Sequence, residues 1–318
     1  MKGYCITHRK DIDGLASGSI SVAATGGELV LSDYDDMVAN LRRVPDDADR
    51  VVVSDLGSDT ADFQAFLDEM GRIAKHAEVT YIDHHFMSEG AKKKLRKAGV
   101  RLVHDVRDCA SVLTYRTFKD SLPEGARLNA LFGAVTDYMD DSPTAKKMME
   151  KQDRQFVLLE ATMASLALVE KGDEEGYPEM VVAELAKMKL PHDIPGVPEA
   201  AVRQLAKQAA LGEIVKREGT KLGRLAYMAT KEHSTGSVAK LLIGAFDVPV
   251  GVAMKEKHEG WYEVSLRGTS ECRAHLGQAI GKISGSLGGS GGGHRKAAGC
   301  RVPKEKAEQM LKALSKKV

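Results

Sequence analysis

The sequence predicts an α/β protein with an N-terminal, mostly parallel sheet and flanking helices, a helical connector and a smaller C-terminal α/β domain. Three observations lead to this class. Over the first 140 residues, short apolar runs alternate with longer segments of helical periodicity, as in βαβ units. A stretch rich in Met, Ala, Leu, Glu and Lys follows, and strand-like runs return after Gly223. The expected domains are residues 1–190 and 223–318, joined by a linker over 191–222.

The individual elements are predicted in chain order from their apolar runs. The strands of the first domain are YCIT, ELVLS, RVVVSDLG, VTYID and VRLVH, with helical segments such as GLASGSISVAA between them. Residues 142–216 are predicted to be helical up to a connector marked by Pro191, Pro195 and Pro198. In the second domain, RLAYMAT, VPVGVAMKEK and WYEVSLRG predict strands, 272–284 predicts an amphipathic helix and EKAEQMLKALSKK predicts the terminal helix.

Composition excludes several classes of protein. With 318 residues, 43% hydrophobic and 29% charged, the chain is neither disordered nor collagenous and can bury a core without disulfides. It contains no apolar run of 18 residues, so a membrane span is not expected and the predicted location is cytoplasmic. Its four cysteines form no CxxC pair, which argues against a zinc ribbon and favours buried, reduced side chains.

Charge is divided unevenly along the chain. Acidic side chains exceed basic ones by nine over residues 1–215, and basic ones exceed acidic ones by ten over residues 216–318, which gives the net charge of +1. This division indicates an acidic part that holds cations and a basic part that holds a polyanion. The simpler interpretation is two solvated surfaces of opposite sign.

Carboxylates and imidazoles follow three of the predicted strands and a fourth strand-like run, GAVTD at 133–137. The residues concerned are His8, Asp11 and Asp13, then Asp55, then Asp83, His84 and His85, and finally Asp137. Ligands of parallel sheets bind at the carboxyl ends of the strands, where these side chains would meet. Such a set can hold two divalent cations, the arrangement used for phosphoester hydrolysis. For the first cluster alone, a structural interpretation is that Asp13 caps the helix that Gly14 begins.

The order of these motifs resembles a known family. Asp11-x-Asp13-Gly14, the strand-terminal Asp55, the triplet Asp83-His84-His85 and Asp137 resemble the four motifs of the DHH phosphoesterase superfamily. The segment GGGHRKAAG at 291–299, with Ser-Leu-Arg at 265–267 upstream, resembles its DHHA1 substrate domain. The family includes RecJ-type single-strand exonucleases, oligoribonucleases of the nanoRNase type, cyclic dinucleotide phosphodiesterases and type II pyrophosphatases.

The resemblance implies two metal ions, usually manganese, with magnesium as the alternative. The implied ligands are His8, Asp11, Asp13, Asp55, His84 and Asp137. His8 and Asp11 would bind one ion, and Asp55 would bridge it to the second. His8 and Asp11 are separated by two residues, whereas relatives often show one or three, so Thr7 or solvent is the alternative ligand.

The resemblance also implies two catalytic residues and a substrate-binding loop. Asp83 would orient the neighbouring imidazoles, and His85 would donate to a phosphate oxygen. The implied substrate-binding residues are Arg267, Gly292, Gly293, His294 and Arg295. Successive glycines can present backbone N–H groups to an anion, although a glycine run is also typical of a flexible linker. By resemblance, this domain would hold the nucleotide over the metals.

These features predict a metal-dependent exonuclease that releases mononucleotides from single-stranded DNA or RNA or from short oligonucleotides. One alternative is a cyclic or linear dinucleotide phosphodiesterase. Another is a catalytically reduced RecJ-like scaffold of a repair or replication complex, although such loss should erode the carboxylates. A homodimer and a repair or replication partner are further expectations. The low aromatic content, 5%, favours short substrates over a long stacking platform.

Overall fold

The computed structural model describes residues 2–58, 62–293 and 295–318. These residues form two compact units, Met1–Leu205 and Ala206–Val318. One of the predicted substrate-binding residues, His294, lies outside the described residues. None of the described helices is both long and apolar enough to cross a bilayer.

The first unit contains a five-stranded sheet in which every strand pair is parallel. Its strands are β1 (Gly3–His8), β2 (Glu28–Ser32), β3 (Arg50–Ser54), β4 (Glu78–Asp83) and β5 (Arg101–His104), in the spatial order β2-β1-β3-β4-β5. The helices are α1 (Ile12–Thr25), α2 (Met37–Arg42), α3 (Phe63–Ile73), α4 (Glu89–Lys97), α5 (Ala110–Phe118), α6 (Ala126–Thr136), α7 (Pro143–Met149), α8 (Arg154–Lys171) and α9 (Tyr177–Ala186). Each strand lies where its apolar run predicts it.

The strands are apolar on both faces because helices cover both sides of the sheet. Val51 and Val53 belong to a core that includes Phe66 of α3, while the intervening Val52 packs with Leu113 of α5 on the opposite face. A larger core joins α1, α5, α6, α8 and α9. Polar side chains that could bind a ligand are therefore expected at the ends of the strands and helices, and not on the faces of the sheet.

The second unit contains a six-stranded mixed sheet. Its strands are β6 (Thr220–Leu222), β7 (Leu225–Ala229), β8 (Val250–His258), β9 (Trp261–Gly268), β10 (Ser290–Gly293) and β11 (Ala297–Pro303), in the order β10-β11-β9-β8-β7-β6. Only β7 and β8 pair in parallel. The helices are α10 (Val197–Glu218), which contains the boundary between the units, α11 (Thr235–Phe246), α12 (Leu276–Ser286) and α13 (Ala307–Ser315). The predicted fold class, with its mixed α/β second domain, is confirmed.

The glycine run is part of this sheet and is not a flexible linker. Its residues Ser290–Gly293 form the edge strand β10, paired with β11. Helix α12 lies against it so closely that a Cβ atom on Gly277 would stand 1.9 Å from the carbonyl oxygen of Gly293. A glycine is required there by contact with backbone, because no side chain fits between the helix and the strand.

Candidate metal centre

Three neighbouring strands of the first sheet end at one polar cluster. His8 is the last residue of β1, Asp55 follows β3 and Asp83 ends β4. The structure brings all eight predicted metal-binding and catalytic residues to this edge. The prediction that Asp137 follows a strand is wrong, because Asp137 caps the carboxyl end of helix α6. The run GAVTD is apolar enough for a strand, but it belongs to a helix that is buried on most sides.

The first candidate ion position lies among His8, Asp11 and Asp55, whose ligand atoms are all within 4.8 Å of one another. His8 Nδ1 lies 3.1 Å from Asp11 Oδ2 and 3.9 Å from Asp55 Oδ2. The side chain of Asp55 is almost fully buried, and its backbone is left-handed with a φ of 56°. That conformation costs little for Asp compared with most residues, and it turns the carboxylate into the cluster.

The second candidate position lies among Asp13, His84 and Asp137, again with ligand atoms within 4.8 Å. His84 Nε2 is 3.8 Å from Asp13 Oδ2 and 3.7 Å from Asp137 Oδ2. The same nitrogen is 3.4 Å from Asp55 Oδ1. Asp55 therefore lies within reach of both positions, where a carboxylate that bridges two ions would have to be.

Asp13 is held by a helix other than its own. Its two carboxylate oxygens accept hydrogen bonds from the backbone N–H groups of Ala110 and Ser111, at 2.8 and 2.9 Å, at the start of α5. The residue that caps α1 is Asp11, so the interpretation of Asp13 as that cap is wrong. A Cβ atom on Gly133 would stand 2.4 Å from Asp13 Oδ1, and a glycine in α6 is thus needed for the carboxylate to fit.

The orientation of His85 is set by a buried carboxylate. Asp83, which is fully buried, lies 2.8 Å from His85 Nδ1 through its Oδ1. The hydroxyl of Tyr81 is 3.3 Å from the other oxygen of Asp83. Burial lowers the pKa of His85, but the hydrogen bond to Asp83 and the negative charges of Asp83, Asp137 and Asp11 together outweigh burial and raise that pKa above its ordinary value. The raised pKa favours the form of His85 that can donate from Nε2.

Two residues of the cluster were not among those predicted. Asp33 Oδ1 lies 3.6 Å from His8 Nε2, and the hydroxyl of Tyr34 lies 3.3 Å from His85 Nε2. Their turn is fixed by Asp36, whose Oδ1 accepts from the hydroxyl of Ser32 and from the backbone of Asp33, both at 2.7 Å. The sequence signal was present: Asp33 directly follows the end of β2, as Asp55 follows β3.

The charges of the cluster favour binding of cations. Burial and the carboxylates of Asp11, Asp13 and Asp83 raise the pKa of Asp55 well above its usual range. The same two causes, burial first, raise the pKa of Asp137 to about 7. Burial lowers the pKa of His84, which keeps its imidazole neutral and able to ligate. Carboxylate and imidazole donors suit divalent ions such as manganese, so the residues fit the metals that the family resemblance implies.

The described substrate-binding candidates lie in the second unit. Gly292 and Gly293 are on β10, and Arg267 is on β9, with β11 between them, so they are about 10 Å apart. Arg267 is half-buried and donates to the carbonyl of Leu266 at 3.0 Å. Arg295 is exposed in the turn after β10, and an added Cβ on Gly292 would meet nothing within 4 Å. The described loop therefore presents backbone and guanidinium groups at the surface.

Comparison with known sequences gives two matches. The family model of the DHHA1 domain matches residues 222–318. An uncharacterized protein of Methanocaldococcus jannaschii is 30% identical over 118 residues, which is 35% of this chain and 34% of that protein. The chain thus matches only about a third of the length of this relative.

Comparison with solved structures gives likenesses along the whole chain. The pGpG-specific phosphodiesterase PggH from Vibrio cholerae has a TM-score of 0.63 and 15% identity, with 98% of both chains covered. The DHH domain of a member of a ribosomal protein family has a TM-score of 0.70 and 16% identity, over 99% of this chain and 86% of that one. RecJ from Thermus thermophilus in complex with Mn²⁺ has a TM-score of 0.62 and 15% identity, over 99% of this chain and 51% of RecJ.

Proposed function

We propose that the chain, whose residues 222–318 match the DHHA1 domain, is a DHH/DHHA1 phosphoesterase and acts as a phosphodiesterase that requires divalent metal ions. Its substrates would be single-stranded nucleic acid or short oligonucleotides, from whose ends it releases mononucleotides. The observation that carries this proposal is that two clusters of carboxylate and imidazole side chains lie side by side, with Asp55 within reach of both. Two ions sharing one carboxylate is the arrangement suited to hydrolysis of phosphate esters.

The residues have distinct roles in this proposal. His8 and Asp11 would hold one ion, Asp13, His84 and Asp137 the other, with Asp55 shared between them. Bound manganese or magnesium would supply neutralisation of the phosphate charge and acidification of water.

Asp83 accepts a hydrogen bond from Nδ1–H of His85. Nε2 of His85 then faces the substrate and donates to a phosphate oxygen. Hydrolysis adds water across one P–O bond and separates a mononucleotide from the shortened strand, with the phosphate on one product and a new hydroxyl on the other.

The second unit supports a polyanionic substrate. Residues 216–318 have ten more basic than acidic side chains, and Arg295 is exposed beside the glycine strand. Guanidinium groups form charge-assisted hydrogen bonds with phosphates, and edge-strand N–H groups add neutral donors. Arg267, Gly292, Gly293 and Arg295, with His294, would bind the nucleotide in this way.

A dinucleotide phosphodiesterase is the second candidate. The fold likeness to the pGpG-specific enzyme extends over 98% of both chains, whereas the likeness to RecJ leaves about half of RecJ uncovered. A scaffold that has lost catalysis is disfavoured, because all the carboxylates are present and converge. A homodimer and a repair or replication partner remain predictions.

Turnover of defined substrates tests the proposal. The purified chain with Mn²⁺ is incubated with RNA and DNA of two to about thirty nucleotides, labelled at either end, and with linear and cyclic dinucleotides. We expect mononucleotide release from at least the short linear substrates and loss of release when the metal is chelated. Selective turnover of dinucleotides would replace the exonuclease by the second candidate. No hydrolysis of any substrate, together with no Mn²⁺ binding by calorimetric titration, would refute both.

A further inference from the structure

The exposed aromatic side chains lie next to the metal centre. All 16 tyrosine, phenylalanine and tryptophan residues are within the described part of the chain, and three of them are exposed: Tyr34 (39%), Phe86 (70%) and Tyr138 (75%). Each directly follows a residue of the centre, namely Asp33, His85 or Asp137. Successive Cα atoms are about 3.8 Å apart, so all three aromatic residues begin at the edge of the site.

Tyr34 shows how close such a ring comes to the reacting groups. Its hydroxyl is 3.3 Å from His85 Nε2, and its ring centroid is 5.2 Å from that of His8. The ring also stands edge-on to His85, with centroids 6.3 Å apart. It is nevertheless 39% exposed, so part of the side chain remains available to a ligand.

Tyr138 is held in a conformation that its residue type disfavours. Its φ is 59°, in the left-handed region, at the position just past the end of α6 where glycine is usual. The turn is regular: the N–H of Met139 bonds to the carbonyl of Ala134, and that of Tyr138 to the carbonyl of Val135. Nothing in this backbone geometry requires a tyrosine, and a bulky residue there is strained. Despite this strained backbone, the side chain of Tyr138 is 75% exposed.

The chemistry of exposed rings beside a phosphodiester site indicates their ligand. Nucleobases stack on aromatic side chains whatever their sequence, whereas inorganic phosphates and sugar phosphates have no π-face to offer. We propose that Tyr34, Phe86 and Tyr138 form a base-stacking rim that selects substrates with unstacked nucleobases beside the scissile phosphate. This proposal rests on the proposed function and narrows its substrate class to short or terminal nucleotides.

The rim is tested by substrates that differ only in their bases. The full-length chain with Mn²⁺ is given a trinucleotide and the same sugar-phosphate backbone with abasic tetrahydrofuran residues. We expect kcat/KM to be at least about tenfold higher for the base-bearing substrate, because stacking contributes about 5- to 150-fold per base. Tyr34→Leu, Phe86→Leu and Tyr138→Gly should each reduce this preference by about fivefold or more, chiefly through KM. Tyr34→Phe, which keeps the ring, should retain it.

Stability separates a binding role of Tyr138 from a structural one. Glycine adopts a positive φ without strain, so Tyr138→Gly should raise the melting temperature while it weakens base preference. A ring that served packing would instead lower the melting temperature when removed. Leu159→Ser is the matched control, since Leu159 is 61% exposed on α8 and adjoins no residue of the centre. It should change neither base preference nor turnover.

A second readout does not depend on turnover. A dinucleotide containing 2-aminopurine should lose fluorescence when its base stacks on the wild-type protein, and should keep it with Tyr138→Gly. Unchanged preference and unchanged quenching in all three ring variants would overturn the rim, and would point to a protein partner for these rings. An equal fall in kcat/KM for the base-bearing and the abasic substrate in the ring variants would also overturn the proposal. Quenching without any hydrolysis would instead contradict the proposed function alone.

Discussion

The two units of the chain differ in where their charged groups lie and in the sign of those charges. In the first unit, Asp13, Asp55 and Asp83 are each at most 2% exposed, and Asp137 is partly buried beside them. In the second, Arg295 is exposed and the glycine strand is at the edge of its sheet. A buried acidic cluster needs cations to balance it, whereas a basic surface binds anions without rearranging its core. The first unit is therefore expected to be sensitive to changes of charge, and the second to changes of shape.

The anchors of the two sites differ accordingly. Asp13 is fixed by N–H groups of α5 and Asp83 by its contacts with Tyr81 and His85, so polar hydrogen bonds hold the candidate metal centre. The glycine strand is fixed by close contact of backbone with α12, at Gly277. Removal of a hydrogen-bonding side chain should therefore disrupt the first site, and an added side chain at Gly277 should disrupt the second.

The largest effect is expected from the buried carboxylate behind His85. Asp83→Ala leaves Nδ1 of His85 without its acceptor and frees the imidazole to rotate, so Nε2 is no longer aimed at the substrate. Loss of such supporting hydrogen bonds typically costs about 10- to 100-fold, and complete burial places this one at the upper end or beyond. We expect kcat on a short oligonucleotide to fall by about 100-fold or more.

Asp105→Ala is the matched control for Asp83→Ala. Asp105 follows β5 at the same sheet edge but pairs with Arg107, at 2.8 Å, and belongs to none of the candidate metal groups. Its removal should leave kcat within about twofold of wild type. A rate near wild type for Asp83→Ala, in protein with an unchanged melting temperature, would contradict the role given to Asp83.

Much of this architecture follows from the sequence because each apolar run stops at a polar residue, which marks the end of the strand. Apolar runs that stop at His8, Asp55 and Asp83 predict both the parallel sheet and the edge where its polar residues meet. The structure of segment 191–222 is less evident from the sequence, because its prolines suggest a connector and most of the segment is helical. Pro198, however, is the second residue of α10, a position that needs no N–H donor, and the prolines therefore mark the start of a helix.

Other parts of the site depend on contacts that no local pattern reveals. The partners of Asp13 in α5 are 97 and 98 residues away, so its anchoring cannot be predicted from its own helix. Tyr34 reaches His85 across 51 residues, and only the fold brings them together. Tyr138 occupies a turn position that its residue type disfavours. Sequence reasoning thus identified the chemical groups, while the residues that position or surround them required the structure.

A smaller effect, confined to the second unit, is expected from the shape of α12. The Cβ atom of Gly277→Ala would stand 1.9 Å from the carbonyl oxygen of Gly293, which forces the glycine strand away from the helix. Overpacking of this kind costs roughly 1–3 kcal/mol. We expect a lower melting temperature and weaker binding of a short oligonucleotide, measured by anisotropy in the presence of Ca²⁺. The affinity for Mn²⁺ should not change.

Gly285→Ala provides the comparison on the same helix. Nothing lies within 4 Å of a Cβ at that position, so alanine gains helix propensity of up to about 1 kcal/mol without a clash. Its melting temperature should stay the same or rise. If both variants behaved alike, close contact with β10 would not be what holds the glycine strand.

The smallest effect, and the one that tests the charge of the first unit most directly, is expected from Asp55→Asn. Asparagine tolerates the left-handed backbone of Asp55, so the change removes charge with little strain. Because the pKa of Asp55 is raised in the folded protein, burial of this carboxyl group costs the metal-free fold stability at neutral pH. The metal-free variant should therefore melt a few degrees higher than wild type. Saturating Mn²⁺ should reverse that order, since ligand at 100 times its dissociation constant adds about 2.7 kcal/mol to wild type.

The pH dependence of metal-free wild type follows from the same carboxylates. The pKa of Asp137 is about 7 in the folded protein against an ordinary 3.8, so between those values the folded state binds more protons than the unfolded state. Stability should fall as pH rises from about 4 to about 7, and the affinity for Mn²⁺, which competes with those protons, should rise. Differential scanning fluorimetry across this range, with and without Mn²⁺, measures both. If Asp55→Asn melted below wild type without metal, or kept the full Mn²⁺-induced shift, the buried cluster would not be a cation site that shares Asp55.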